Sequence, residues 1–125
     1  MILLNPRNHV RRYPEEKSRQ IMLKTIEFFE NKGLKKIKLD WHQKTFNYDF
    51  VEFLKENQVF ATLMTPSGYG AADSRWDNYR NCEFSEISSF YGITYWYTWQ
   101  VSMLGLAPIW LGSNEAVKHK TAKLL

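Results

Sequence analysis

The sequence predicts an all-α fold, with about five or six helices in a single domain. Apolar residues recur at intervals of three and four in several segments, whereas no stretch alternates with period two over more than a few residues. No charged side chain occurs between Glu86 and Glu115, so a long uncharged segment has to be buried. A length of 125 residues is typical of one domain.

The first part of the chain contains an arm and then a helix. Residues 1–13 show no sustained period and are predicted to form an N-terminal arm. The helical domain is predicted to comprise 14–125 and to begin at Pro14, because proline suits the first position of a helix. The apolar face of this helix has residues at helical spacing: Met22, Ile26 and Phe29. Gly33 is predicted to end the helix, since glycine tolerates the left-handed turn found there.

A second helix is predicted to begin near Asp40, a good N-cap, and to stop at Asn57. Its apolar face comprises residues spaced by three and four: Phe46, Phe50, Phe53 and Leu54. A short apolar piece follows at 59–64. Residues 66–81 are rich in Pro, Gly, Ser, Asp and Asn, and this composition predicts a loop.

The last part of the chain is predicted to hold several more helices. A third helix has these residues on its apolar face: Phe84, Ile87 and Tyr91. It is predicted to stop at Gly92. Residues 95–106 are uncharged on all sides, which predicts the most buried helix of the bundle. Pro108 removes a backbone donor, so a separate helix is predicted to start there. Ser113 is predicted to cap a final amphipathic helix.

Composition excludes several classes of function. The chain has 17 Lys and Arg against 13 Asp and Glu, a net charge of +4, and its basic residues lie in short groups that are typical of solvated faces. The densest aromatic cluster, 95–99, has no interleaved Lys or Arg, whereas nucleic-acid stacking platforms lie in positive grooves. No nucleic-acid partner is therefore predicted. The three histidines have no partner at metal-ligand spacing, so no metal site is predicted.

Cys82 is the only cysteine, which excludes a disulfide within the chain. It is predicted to be a buried structural thiol. A free thiol suits a reducing compartment, and no secretory signal is evident at the N-terminus, so a cytoplasmic location is predicted. A membrane span at 87–111 is a lesser alternative, because a bilayer accepts about 20 consecutive apolar residues as a helix. Interleaved Ser, Thr and Gln, with Gly105, Pro108 and Gly112, argue against it.

Several motifs, taken in order, resemble the acyl-CoA dehydrogenase family. Residues 66–70 (PSGYG) are similar to the family's Pro-Glu-x-Tyr-Gly-Gly segment. Residues 104–109 (LGLAPI) are similar to its Leu-Gly-x-x-Pro-Ile motif. Residues 112–115 (GSNE) and 123–124 (KL) resemble the Gly-Thr-Glu-Glu-Gln-Lys and Leu-Pro-Lys-Leu motifs that follow. The resemblance extends from Pro14 to the C-terminus.

The resemblance implies the N-terminal helical domain of an FAD-dependent oxidoreductase of fatty acid metabolism. Such enzymes dehydrogenate an acyl thioester between its α and β carbons, with a Glu as base and FAD as hydride acceptor. The resemblance further implies an acyl-CoA substrate, an electron-accepting flavoprotein and a homo-oligomer. The middle β-domain and the C-terminal helical domain hold the flavin and carry the Glu in the family. No catalytic or cofactor-binding residue is therefore assigned in this chain, and the isolated chain is expected to be inactive.

The resemblance also implies a set of residues that line the acyl-chain cavity. In the family the helix before Leu-Gly-x-x-Pro-Ile forms the distal wall of that cavity, and matching the motif predicts Tyr97, Gln100, Val101 and Leu104 at this wall. Helical spacing agrees, since Tyr97, Val101 and Leu104 share one face. Ordinary core packing of all four is the alternative interpretation. A stand-alone helical binding or assembly module without catalysis is the alternative function.

Overall fold

The computed structural model describes Arg7 and residues 15–125. Every regular element in these residues is an α-helix, which confirms the predicted all-α class. The predicted arm, 1–13, lies outside the described residues apart from Arg7, and so does Pro14. The described helices are α1 (Glu16–His42), α2 (Tyr48–Glu56), α3 (Val59–Leu63), α4 (Asn78–Tyr91), α5 (Ile93–Leu111) and α6 (Glu115–Leu124).

α1 consists of two helical segments that meet at Gly33. Gly33 has φ 74° and ψ 146°, backbone angles that side-chain-bearing residues rarely adopt, and the helix resumes at the next residue. The prediction that the first helical segment ends at Gly33 is therefore confirmed, and the positive φ is one that glycine tolerates. The segment before Gly33 buries the predicted apolar face: Met22, Ile26 and Phe29.

The second helix was predicted to begin near Asp40, and this is wrong. Asp40 lies in the last turns of α1. Its carboxylate pairs with two lysines of the same helix, which removes it from a capping role. α1 instead ends in a turn in which the Lys44 N–H donates to the Trp41 carbonyl at 3.1 Å. Lys44 has φ 54°, the left-handed conformation common just after a helix. Phe46 consequently lies in the turn before α2 and is 57% exposed, not on an apolar helix face.

The hydrophobic core lies between α1, α2, α3, α4 and the first half of α5. α1 packs on α3 and α4, α2 packs on α3, and α5 packs on α4 and α6. Phe29 is the central ring, with Phe50 at 5.3 Å and Tyr95 at 4.8 Å between ring centroids. Further predicted apolar positions are buried: Phe50, Leu54, Phe84 and Ile87.

Two helix starts differ from the predictions because short polar side chains cap them. Asp77 accepts the N–H groups of Tyr79 and Arg80 at 2.9 and 3.3 Å, so α4 begins at Asn78, inside the predicted loop 66–81. Asn114, not Ser113, caps α6, accepting the N–H of Val117 at 3.2 Å. In both cases the helix begins at a residue other than the one predicted, because a nearby short polar side chain caps it.

α5 is one continuous helix, so the predicted separate helix from Pro108 is wrong. Proline removes one hydrogen bond, to the Leu104 carbonyl. Leu104 and Pro108 are both exposed, and the loss falls on the solvent side of the helix. The Gly112 N–H still donates to the Pro108 carbonyl at 3.0 Å, which carries the helix past the proline.

Candidate functional site

α5 is buried along one side only. Trp99 is fully buried, with its ring 4.3 Å from Phe84 and stacked on Phe60 at 5.4 Å. Tyr95, one turn earlier, contacts Phe50 at 5.2 Å. These two rings are the only buried residues of α5, so the prediction that 95–106 is the most buried element is wrong.

The opposite side of α5 is an exposed apolar surface. At about 100° per residue its members fall within a stripe roughly 80° wide. We call this stripe the α5 apolar face; it consists of Ile93, Tyr97, Val101, Leu104, Pro108 and Leu111. The described residues place α4 and α6 on α5 but put no element over this stripe. An apolar face of this kind is typical of a surface that contacts a ligand or partner.

The four predicted cavity residues lie together on or beside the α5 apolar face. Tyr97, Val101 and Leu104 are 61%, 46% and 63% exposed, and Gln100 is half-buried next to them. Three of the four are therefore not part of the core of this domain. Gly105 lies beside Val101, and a Cβ built there would meet nothing within 4 Å, so the helix backbone is also accessible.

A groove of about 870 Å³ opens where α1 ends and α5 begins. Its apolar lining comes from both helices and the turn before α2: Ile37, Trp41, Phe46, Ile93 and Tyr97. Asn47 Nδ2 donates to Thr98 Oγ1 at 3.0 Å, which joins that turn to α5. A Cβ at Gly92 would approach the Tyr95 ring to 3.1 Å, so the groove needs a small residue there.

An ion-pair cluster supports the groove from the α1 side. Asp40, one of the lining residues, lies 3.0 Å from Lys32 Nζ and 2.8 Å from Lys36 Nζ. Lys32 is nearly buried, also pairs with Asp49 and lies 5.4 Å from the centre of the Tyr95 ring. Burial opposes its charge, but the hydrogen bonds to Asp49 and Asp40 outweigh burial and raise the pKa of Lys32. The cluster ties both segments of α1 to α2.

The rim of the groove carries two further lysines, Lys38 and Lys44, together with His42. Within the part of the chain that the structure describes, neither Lys38 nor Lys44 forms an ion pair. Since Asp40 is the only carboxylate in the lining and is already paired, the groove has a net positive rim.

The pKa of Asp40 is held below its ordinary value by hydrogen bonds from Lys36 and Lys32. A carboxyl whose pKa is lower in the folded state stabilises the fold above its unfolded pKa, and this stabilisation is lost as the pH falls through the folded pKa. We therefore expect Asp40→Asn to flatten the decrease in Tm between about pH 5 and pH 2. Circular dichroism melts at a series of pH values would measure this.

Glu52→Gln, on the exposed side of α2, is the matched control for that titration and is expected to keep the wild-type acid slope. A variant Asp40→Asn whose Tm falls as steeply as that of the wild type would show that the pairing with Lys36 and Lys32 contributes no acid-sensitive stability.

Two of the segments that resemble family motifs are in contact. Tyr69, from the segment 66–70, donates its hydroxyl hydrogen to Glu115 Oε2 at 2.6 Å. The Tyr69 ring lies 5.8 Å from Trp110 and 5.2 Å from His119. The hydrogen bond to Glu115 raises the pKa of Tyr69. This cluster fixes α6 against the loop before α4.

Three further predictions concern Cys82, a metal site and a membrane span. Cys82 is exposed, so the prediction of a buried thiol is wrong. Among residues 15–125 and Arg7, no three His, Cys, Asp or Glu side chains form a group that could hold a metal ion. None of the helices described combines the length and the apolar character that crossing a membrane requires.

Comparisons of the chain with protein-family models, with curated proteins and with solved structures gave no match.

Sequence reasoning did not find the groove residues. Of the lining residues, only Tyr97 is among the predicted site residues; the sequence does not point to Trp41 or Phe46, because the groove forms between segments about 50 residues apart in sequence. The available signal was local: aromatic residues within the polar stretch 40–48, where a turn does not need them.

Proposed function

We propose that this chain is the helical N-terminal domain of an FAD-dependent acyl-CoA dehydrogenase-like protein. The observation that carries the proposal is the α5 apolar face. The residues that the resemblance predicts at the acyl-chain cavity, Tyr97, Val101 and Leu104, are exposed to solvent on it. An exposed apolar surface of this kind favours the interpretation that a neighbouring domain or a ligand covers it in the whole protein.

In the proposed protein this domain binds and shields the acyl chain. Its role follows from the chemistry of the α5 apolar face, which offers hydrocarbon and one phenol but no charge. Removing water from an acyl chain here favours binding by about 25 cal/mol per Å² of apolar surface. Gln100, beside the face, is the one amide that could orient a polar group. FAD, held by other domains, would accept the hydride, and no residue of this chain is proposed to hold it.

The wider proposal follows the resemblance. The whole protein would dehydrogenate an acyl-CoA, pass its electrons to an electron-accepting flavoprotein, form a homo-oligomer and work in the cytoplasm. Tyr69 and Glu115 support it indirectly, because two family-like segments distant in sequence contact each other.

The stand-alone binding module is the second candidate. The groove of about 870 Å³ favours it, because α1, the turn before α2 and α5 form this groove together within the described residues. The coding DNA beyond the codon for Leu125 distinguishes the two candidates. An open frame that encodes a β-rich flavin domain supports the dehydrogenase, whereas a stop codon supports the module.

In the full-length protein we expect Gln100→Ala and Leu104→Ala to shift substrate preference toward longer acyl chains. Each additional methylene that the enlarged wall accommodates is expected to contribute about 1–3 kcal/mol to discrimination. The measurement is kcat/KM over a series of acyl-CoA lengths, together with the flavin spectrum. Phe90→Ala, an exposed ring on α4, is the control and is expected to leave the length profile unchanged.

Two results would contradict the proposal. A full-length protein that binds no FAD is not a member of this class. If kcat/KM decreases by the same factor for every acyl length, Gln100 and Leu104 do not line the acyl cavity.

A further inference from the structure

The groove between α1 and α5 combines an aromatic wall with a cationic rim. We propose that it binds a long-chain fatty carboxylate, with the hydrocarbon tail against Trp41 and Phe46 and the carboxylate next to Lys38 and Lys44. This site goes beyond the proposed function: it shares Tyr97 with the proposed acyl-chain cavity, but its cationic rim and the rings of Trp41 and Phe46 come from the end of α1 and the turn before α2.

The volume and the wall fit an apolar small molecule. A volume of about 870 Å³ falls within the range of roughly 300–1,000 Å³ that is usual for small-molecule sites. Trp41 and Phe46 are 64% and 57% exposed although both line the groove. Their ring partners are sequence neighbours, His42 at 5.4 Å and Tyr48 at 4.7 Å, and not core residues. Both aromatic rings are therefore available to a ligand.

The charge distribution selects an anionic head group. Lys38, His42 and Lys44 line the groove, and the only carboxylate among the lining residues is Asp40. Asp40 is neutralised from its own helix by Lys36 at 2.8 Å and by Lys32 at 3.0 Å. The rim therefore complements a single negative charge. The apolar wall disfavours a small anion that has no hydrocarbon tail.

The shape of the surrounding surface favours an unbranched tail. Ile93 and Tyr97 belong both to the groove and to the α5 apolar face, so the groove continues onto that face. From Ile93 to Leu104 the face extends about 16 Å at 1.5 Å per residue, roughly one side chain wide. A linear hydrocarbon matches such a strip, whereas a bulky ring system does not.

The test uses the 125-residue chain with a fluorescent polyene fatty acid, parinaric acid, and its uncharged methyl ester as probes. The wild type is expected to bind one molecule of the acid, at least tenfold more tightly than the ester. Lys38→Gln with Lys44→Gln should weaken binding of the acid at least tenfold and leave binding of the ester unchanged. Lys35→Gln, exposed on α1 outside the lining, is the matched control and should bind both probes as the wild type does.

Trp41→Ala with Phe46→Ala should weaken binding of the acid and the ester alike, at least tenfold. These residues are exposed, so circular dichroism melts of all variants are expected to match the wild type. Because the assay contains no flavin and no acyl-CoA, its outcome is separate from the kinetic test of the proposed function.

Three outcomes would overturn the inference. Equal affinity for acid and ester in the wild type would exclude the rim lysines from the site, as would acid binding that survives the double lysine substitution. Binding only to vesicles that contain an anionic phospholipid, with none to monomeric fatty acid, would identify a membrane surface instead. Displacement of the probe by an acidic amphipathic peptide but not by unlabelled palmitate would identify a protein partner.

Discussion

Replacing Trp99 with alanine is expected to lower the free energy of unfolding by about 3–5 kcal/mol. Trp99 is fully buried and is the residue through which α5 contacts both Phe84 and Phe60. The substitution removes the largest buried side chain and leaves a cavity that the neighbouring rings cannot fill. Urea or guanidinium unfolding followed by circular dichroism would measure the change, with the same m-value expected for both proteins.

Two control variants make this prediction specific. Trp99→Phe should cost far less than Trp99→Ala, because it keeps a ring and removes an indole N–H that has no hydrogen-bond partner among the described residues. Leu104→Ala, on the exposed side of α5, should change stability by no more than about 0.5 kcal/mol. Equal losses for Trp99→Ala and Leu104→Ala would mean that the two sides of α5 are wrongly assigned.

The isolated chain is expected to self-associate through the α5 apolar face, and Val101→Lys with Leu104→Lys is expected to abolish this. Burying each apolar side chain is worth about 1.5–3 kcal/mol, and every 1.4 kcal/mol changes an affinity roughly tenfold. The double variant should therefore raise the dissociation constant at least about 100-fold. Analytical ultracentrifugation over a range of concentrations would measure it.

Phe90→Lys is the matched control for self-association. It introduces a single lysine at an exposed ring on α4, outside the α5 apolar face, and should leave the association unchanged. A wild-type chain that stays monomeric at high concentration would contradict the prediction. An equal effect of Phe90→Lys on the dissociation constant would indicate that the contact surface lies on α4 and not on α5.

Helical periodicity was sufficient to predict the fold class and much of the core. Met22, Ile26 and Phe29 are buried on α1, as their spacing of three and four predicts. Phe84 and Ile87 are buried on α4 for the same reason. On α1 charged residues such as Lys24 and Glu27 are exposed on the other side, so only one face turns inward. On α4, by contrast, Arg80 and Glu83 are buried with the apolar residues, so charge does not mark its solvent side.

Helix boundaries were less predictable, because several neighbouring residues can cap or break a helix. Asp40 is a good N-cap in isolation, yet Lys32 and Lys36 bind its carboxylate within α1. Ser113 and Asn114 are both suitable caps, and the structure uses Asn114. Pro108 can break a helix, but on an exposed side its missing hydrogen bond is tolerated.

The sequence by itself determined that this protein is a helical domain with a segment, 87–114, too apolar to be solvated on all sides. Only the tertiary structure decided which side of that segment is covered. An uncharged helix has no charged face that marks its solvent side. The packing of Trp99 and Tyr95 on α1, α2 and α4 therefore determines which side of the helix is buried. The same packing left Tyr97, Val101 and Leu104 exposed, and it brought Trp41 and Phe46 to the groove from a distant part of the chain.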